Sequence, residues 1–188
     1  MLIPFGVFSA AGAGGGGASG TFDLISSTIL TGSQSSVTFD VSTLASTYKH
    51  LQIRLVARNS VSATYDEIYM KFNSDSNSAN YKAHLLYGNG SSVSSASWSN
   101  TSSGFRFADI EAASATSNAF TPVVADLLDP FSSSKNKTVR SFSGKTSSAF
   151  VSLASGLWMS TSTVTSIVLT PYSGSFIAGS RFSIYGIK

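Results

Sequence analysis

Tyr48-Lys49-His50-Leu51-Gln52-Ile53-Arg54-Leu55-Val56-Ala57-Arg58 is the stretch from which the fold is read. Leu51, Ile53, Leu55 and Ala57 point one way in an extended chain, while His50, Gln52, Arg54 and Arg58 point the other. That period of two is the mark of a half-buried strand, with one face in a core and the other wet or against a partner. Residues 67–73 repeat it through Ile68, Met70 and Phe72. In 81–87, Tyr81, Ala83, Leu85 and Tyr87 alternate with Lys82, His84 and Leu86. Further strands are expected at 22–30, 36–41, 105–110, 120–128, 138–144, 150–158, 164–169 and 181–187. The first two are joined by a turn around Gly32, and Asp40 with Ser42 can cap one short helical turn reaching Ala45. Residues 88–103, rich in Asn, Gly and Ser around Trp98, read as a long surface loop. Short strands without helical period predict an all-β body, a two-sheet antiparallel β-sandwich or jelly roll, because a single open sheet would leave one apolar face in water.

Composition agrees. Of 188 residues 42% are hydrophobic and only 11% charged, against about 25% in ordinary soluble domains, with Ser and Thr filling the difference. The formal charge of +3 is spread over single Lys and Arg residues rather than gathered on one face, which predicts no nucleic-acid partner. Without Cys there are no disulfides or thiolate metal sites. No run approaches the roughly 20 apolar residues of a membrane helix, so no membrane insertion is expected. The amino-terminal segment lacks a basic start, and Pro4 and Gly6 interrupt its apolar run, which argues against a secretion signal.

Residues 1–20 read differently from the body at 21–188. Leu2, Ile3, Pro4, Phe5, Val7 and Phe8 are followed by a run of Ala, Gly and Ser that includes Gly14, Gly15, Gly16 and Gly17. Ordering such a run costs about 1–2 kcal/mol per residue, and it has no side chains with which to recover that cost. Alone it should be disordered; the simplest supplier of ordering energy is another surface, a copy of the same chain or a different protein, so the segment is read as an extended assembly arm, with a flexible leader as the alternative.

The chemistry-bearing residues are few. His50 and His84 fall on the polar faces of expected strands, which suits surface or interface side chains better than general bases. Asp109 and Glu111 share a strand face and have the spacing of paired carboxylates, but Arg106 beside them points to a solvated or Arg-paired face. Asn73, Asp75 and Asn77 resemble the start of a calcium loop but lack the Gly and Glu that complete one, so a plain turn is expected. Lys135, Lys137 and Arg140 read as solvent-facing charges. Trp158 reads as core. No catalytic, metal or cofactor residue is assigned. Tyr87 and Trp98 are the candidate glycan or receptor contacts, since aromatic rings stack on sugars while neighbouring Asn and Ser bond their hydroxyls.

Several stretches carry a resemblance. "PFGVFSAAGAGGGG" at 4–17, "YKHLQIRLVAR" at 48–58, "VADLLDPFSSSKNKTVRSFSG" at 124–144, "SGLWMSTSTVTSIVLTPY" at 155–172 and the ending "GSRFSIYGIK" are together similar to small virion structural proteins of tailed bacteriophages. The resemblance implies a non-enzymatic component of a phage particle, assembled in the bacterial host cytoplasm, that serves as a tail fibre or appendage part or as a capsid decoration protein. It carries over no catalytic residue. The expected partners are copies of the same chain, as a homotrimer, other virion proteins, and a host surface glycan. A glycan-binding module or tail-borne glycan hydrolase is the alternative.

Overall fold

The structure, a computed structural model, describes residues 20–98, 101, 103–145, 147 and 149–188. The arm residues Leu2 to Gly17 lie outside the described residues. Twelve strands follow in order: β1 (Phe22–Ile29), β2 (Val37–Asp40), β3 (His50–Ala57), β4 (Tyr65–Phe72), β5 (Tyr81–Gly88), β6 (Val93–Trp98), β7 (Phe105–Glu111), β8 (Thr121–Leu128), β9 (Lys137–Lys145), β10 (Phe150–Trp158), β11 (Ser166–Pro171) and β12 (Arg181–Ile187). The alternating stretch of β3 does what its pattern predicts. Leu51, Ile53, Leu55 and Ala57 are buried, and β3 sits between β12 and β8.

Two antiparallel sheets face each other. The larger runs β1-β12-β3-β8-β9-β10-β5-β6 and the smaller β2-β11-β4-β7. The sequential pairs β1/β2, β3/β4, β7/β8 and β11/β12 each step from one sheet to the other, which makes these eight strands a jelly roll. The remaining strands, β5, β6, β9 and β10, extend the larger sheet beyond β8. They curl past β7, the last strand of the smaller sheet, which packs across β8, β9, β10 and β5. This covers an edge that would otherwise offer unpaired backbone groups to another chain.

The core explains where each strand needs bulk. Ile68, Met70, Phe72, Ile167 and Leu169 of the smaller sheet meet Leu51, Ile53, Leu55, Val123, Leu127, Phe182 and Ile184 of the larger. On the extension the inward positions shrink to Ser141, Ser143, Ser152, Ala154 and Gly156, because Phe105 and Phe107 of β7 lie directly on them. The Ser141 hydroxyl donates to the Phe107 carbonyl, and Ser143 pairs with Ser152 at 2.8 Å. Trp158 is buried, as expected, and its Nε1 donates to Asp75 Oδ2 at 2.8 Å.

Several expectations need correction. Residues 88–103 are not one long loop, because Val93–Trp98 forms β6 against β5 through its backbone, and Ser and Ala suffice on an edge strand. The strands from 22–30 and 36–41 belong to opposite sheets. The segment after Asp40 makes turns, with the Ser42 N–H on Asp40 Oδ1 and the Leu44 N–H on the Val41 carbonyl, and no helix. Arg58 is buried, not on a wet face. Its guanidinium donates to the carbonyls of Thr116 (2.6 Å), Ala119 (2.9 Å), Ala113 (3.2 Å) and Ala115 (3.1 Å) and so organises the loop that precedes β8. Lys137 is also buried, its Nζ donating to the carbonyls of Ser132 and Lys135 at 2.7 Å each, and burial pulls its pKa down. Lys135, by contrast, stays exposed and pairs with Asp129 at 2.6 Å.

The outward face of the larger sheet carries an apolar band. Direct cross-strand neighbours run Val124, Phe142, Leu153, Leu86 over β8, β9, β10 and β5. The parallel row holds Val56 opposite Pro122, then Val151 opposite Gly88 and Gly88 opposite Val93. Phe142 is 53% exposed, Leu153 52% and Val93 75%. The next row turns polar, with Gln52, Asp126, Arg140, Ser155 and His84 in register.

Candidate functional site

Where the extension wraps around β7, its inward face and the β7 edge leave an open cleft of about 430 Å³. Tyr87 and Trp98, the two aromatic residues singled out in the sequence, both line it. Tyr87 stands on the inward side of β5, in phase with Tyr81, Ala83 and Leu85, and Trp98 on the inward side of β6, opposite Ala83. Tyr65 from β4 and Phe150 from the start of β10 complete the aromatic wall. Tyr87 stacks on Phe150 with ring centres 5.3 Å apart.

The floor is charged. A bulge in the β4/β7 pairing, where Ile68 faces Ala108 and Tyr69 faces Arg106, leaves Phe107 as the extra residue. It thereby turns Arg106 and Asp109, three apart in sequence, toward the same side. Arg106 Nη2 lies 2.6 Å from Asp109 Oδ1, with Nε donating to the same oxygen at 2.9 Å, and Nη1 pairs with Glu67. The Trp98 ring covers this guanidinium at 3.6 Å. Lys145, at the end of β9, holds its ammonium 3.6 Å from the Tyr65 ring centre and 4.0 Å from that of Phe150.

Asp109 is 1% exposed, and its Oδ2 has no hydrogen-bond partner among the described residues. Lys145 Nζ stands 3.8 Å away, too far for a hydrogen bond. Burial pushes the Asp109 carboxyl up against the pull of Arg106 and Lys145, and burial lowers the Lys145 ammonium. A deep acceptor and a deep donor therefore face each other without touching, at the base of an aromatic cleft.

The other sequence candidates lie elsewhere. Glu111 is buried and accepts from the Ser147 N–H at 3.1 Å and from its hydroxyl, so it does not line the cleft beside Asp109. The Asp109/Glu111 face is accordingly buried rather than solvated, while its Arg pairing is as expected. Asn73, Asp75 and Asn77 direct their oxygens to protein donors: Asn73 to the backbone of Thr165 and Ser166, Asp75 to Trp158, Asn80 and Asn77, and Asn77 to Ala79. No group of three or more His, Asp or Glu side chains able to share a metal ion occurs among the described residues. His50 Nδ1 accepts from the Asp129 N–H at 3.1 Å, and His84 is exposed on the outward face.

Sequence reasoning missed Tyr65, Phe150 and Lys145. A signal for Lys145 was present, since the phase of Val139, Ser141 and Ser143 carries on to it. The expected strand at 138–144 stopped one residue short at each end, and both omitted residues are the inward lysines. No protein-family model matches the chain, and no curated protein matches it.

Proposed function

We propose that the chain is a non-enzymatic structural subunit of a bacteriophage virion, a tail fibre or appendage component. It is fastened to the particle by residues 1–20 and packs against copies of itself through the outward face of the larger sheet. The observation that carries this reading is the apolar band over β8, β9, β10 and β5. With about 150–250 Å² per large side chain, the exposures of Val56, Leu86, Val93, Val124, Phe142, Val151 and Leu153 leave on the order of 600 Å² of apolar surface. That is the upper end of what single chains leave wet, and close to the roughly 800 Å² that one partner brings to a standard interface. The flanking row, in which Asp126 lies opposite Arg140, offers both signs of charge to the neighbouring copies that converge on this face around a three-fold axis.

The test is the mass of the purified chain in solution. A trimer is expected at about 50 µM, and Phe142→Asp with Leu153→Asp should give folded monomers. A wild-type monomer at that concentration refutes the packing. Deletion of residues 1–20 should leave a folded body that no longer joins the particle. Copies per particle separate an appendage, with tens, from a capsid decoration protein, with hundreds.

A further inference from the structure

We propose that the cleft between β7 and the strands that wrap it binds a neutral glycan. A sugar ring lies against Trp98 and Tyr87, and one of its hydroxyls bridges Asp109 Oδ2 and Lys145 Nζ. The site does not depend on the virion reading and stands on its own geometry.

Five features converge on this ligand class. Rings from separate elements face one opening, and the apolar faces of pyranoses pack on such rings. The buried Asp109 Oδ2 has no hydrogen-bond partner among the described residues, a state that costs about 1–3 kcal/mol unless something donates to it. Lys145 Nζ, 3.8 Å away, has its aromatic neighbours but no hydrogen-bond acceptor among the described residues. An oxygen about 2.8 Å from both atoms would see them at an angle of about 85° and would donate to one while accepting from the other, which is what an alcohol does. An amide N–H or a phosphate oxygen can satisfy only one side. Charge sets the ligand's neutrality. Arg106 is held by Glu67 and Asp109, and Lys145 faces Asp109, so among the described residues that line the cleft no cation is left over for an acidic sugar. A volume of about 430 Å³ suits a short stretch of glycan rather than a long polymer segment.

The experiment is calorimetric titration of the full chain with lactose, maltose and N,N′-diacetylchitobiose up to tens of millimolar. At least one of them should bind, with the affinity lowered at least about tenfold by Trp98→Ala and by Tyr87→Ala, each measured well below that variant's own cooperative melting transition. Asp109→Asn should weaken binding similarly. If that variant does not fold, Lys145→Met removes the donor instead and is held to the same loss. No binding by any of the three sugars overturns the proposal, as does binding that survives both aromatic replacements within about twofold. Tighter binding of an acidic hyaluronan disaccharide than of the neutral ones overturns the ligand class.

Discussion

Replacing Gly156 with Ala tests how closely the two sheets approach. Gly156 faces inward on β10, between Ala83 of β5 and Val139 of β9. A Cβ there would lie 2.1 Å from Phe105 Cε2, 2.4 Å from Cδ2 and 2.7 Å from Cζ. Carbon atoms in contact sit about 3.5–4.0 Å apart, so the ring must retreat by roughly 1.5 Å. It has nowhere to go, because Phe72 at 6.0 Å and Tyr81 at 6.1 Å hold it, and the Tyr81 hydroxyl is fixed on the Asp75 carbonyl at 2.9 Å. Overpacking of this kind costs about 1–3 kcal/mol, and the depth of the overlap puts Gly156→Ala at the upper end. Removing a glycine from the unfolded chain returns at most about 1 kcal/mol, leaving a net loss near 2 kcal/mol. Urea unfolding followed by Trp158, whose ring lies 5.5 Å from Phe72, should show the midpoint lowered by about 1 M. Phe105→Leu removes the clashing atoms at the expense of a cavity. The double variant should therefore be more stable than the sum of the single losses by at least about 1 kcal/mol. A Gly156→Ala protein as stable as wild type, or losses that simply add, would refute the close approach on which the cleft geometry rests.

Arg58→Lys keeps the charge but cannot reach four carbonyls, so it should cost about 2–3 kcal/mol and speed amide exchange across residues 112–119, measured by hydrogen exchange. Burial alone would raise the Asp75 carboxyl, but donors from Asn80, Trp158 and Asn77 hold it below its ordinary value of 3.8. Its contribution to stability is therefore fully present above that value and is lost as pH falls through the lower folded one. Melting curves should show this acid loss diminished in Asp75→Asn. Asp75→Ala, which leaves the Trp158 N–H unpaired, should cost about 1–3 kcal/mol at neutral pH, measured by urea unfolding.

Much of the architecture was legible because β patterning is local. Leu51 to Ala57 and Tyr81 to Tyr87 announce both their conformation and their buried face by alternation alone. Trp158 was legible as core from its apolar surroundings. Strand β6 was not legible, since Val93-Ser94-Ser95-Ala96-Ser97-Trp98 owes its conformation to the ladder on β5 rather than to its own side chains. Arg58 and Lys137 were misread for a related reason. A long cation reads as wet until the carbonyls of a distant loop are known to converge on it. Tyr87 and Trp98 stood out as unusual aromatics beside a polar stretch. Their convergence with Lys145 and Asp109 depends on how the extension curls around β7, and the bulge at Phe107 has no mark in the sequence.

The order of strands also governs when this polypeptide can take shape during synthesis. Among the described residues β1 pairs with β12 alone and β2 with β11 alone, while β3 and β4 each have one of the same two late strands on one side and an earlier one, β8 or β7, on the other. The first two strands must therefore wait, β2 until residues 166–171 and β1 until residues 181–187 have left the ribosome, whereas β3 can pair with β8 and β4 with β7 well before then. Chains stalled before Arg181 should remain open to protease along β1, and chains extended through β12 should be resistant there.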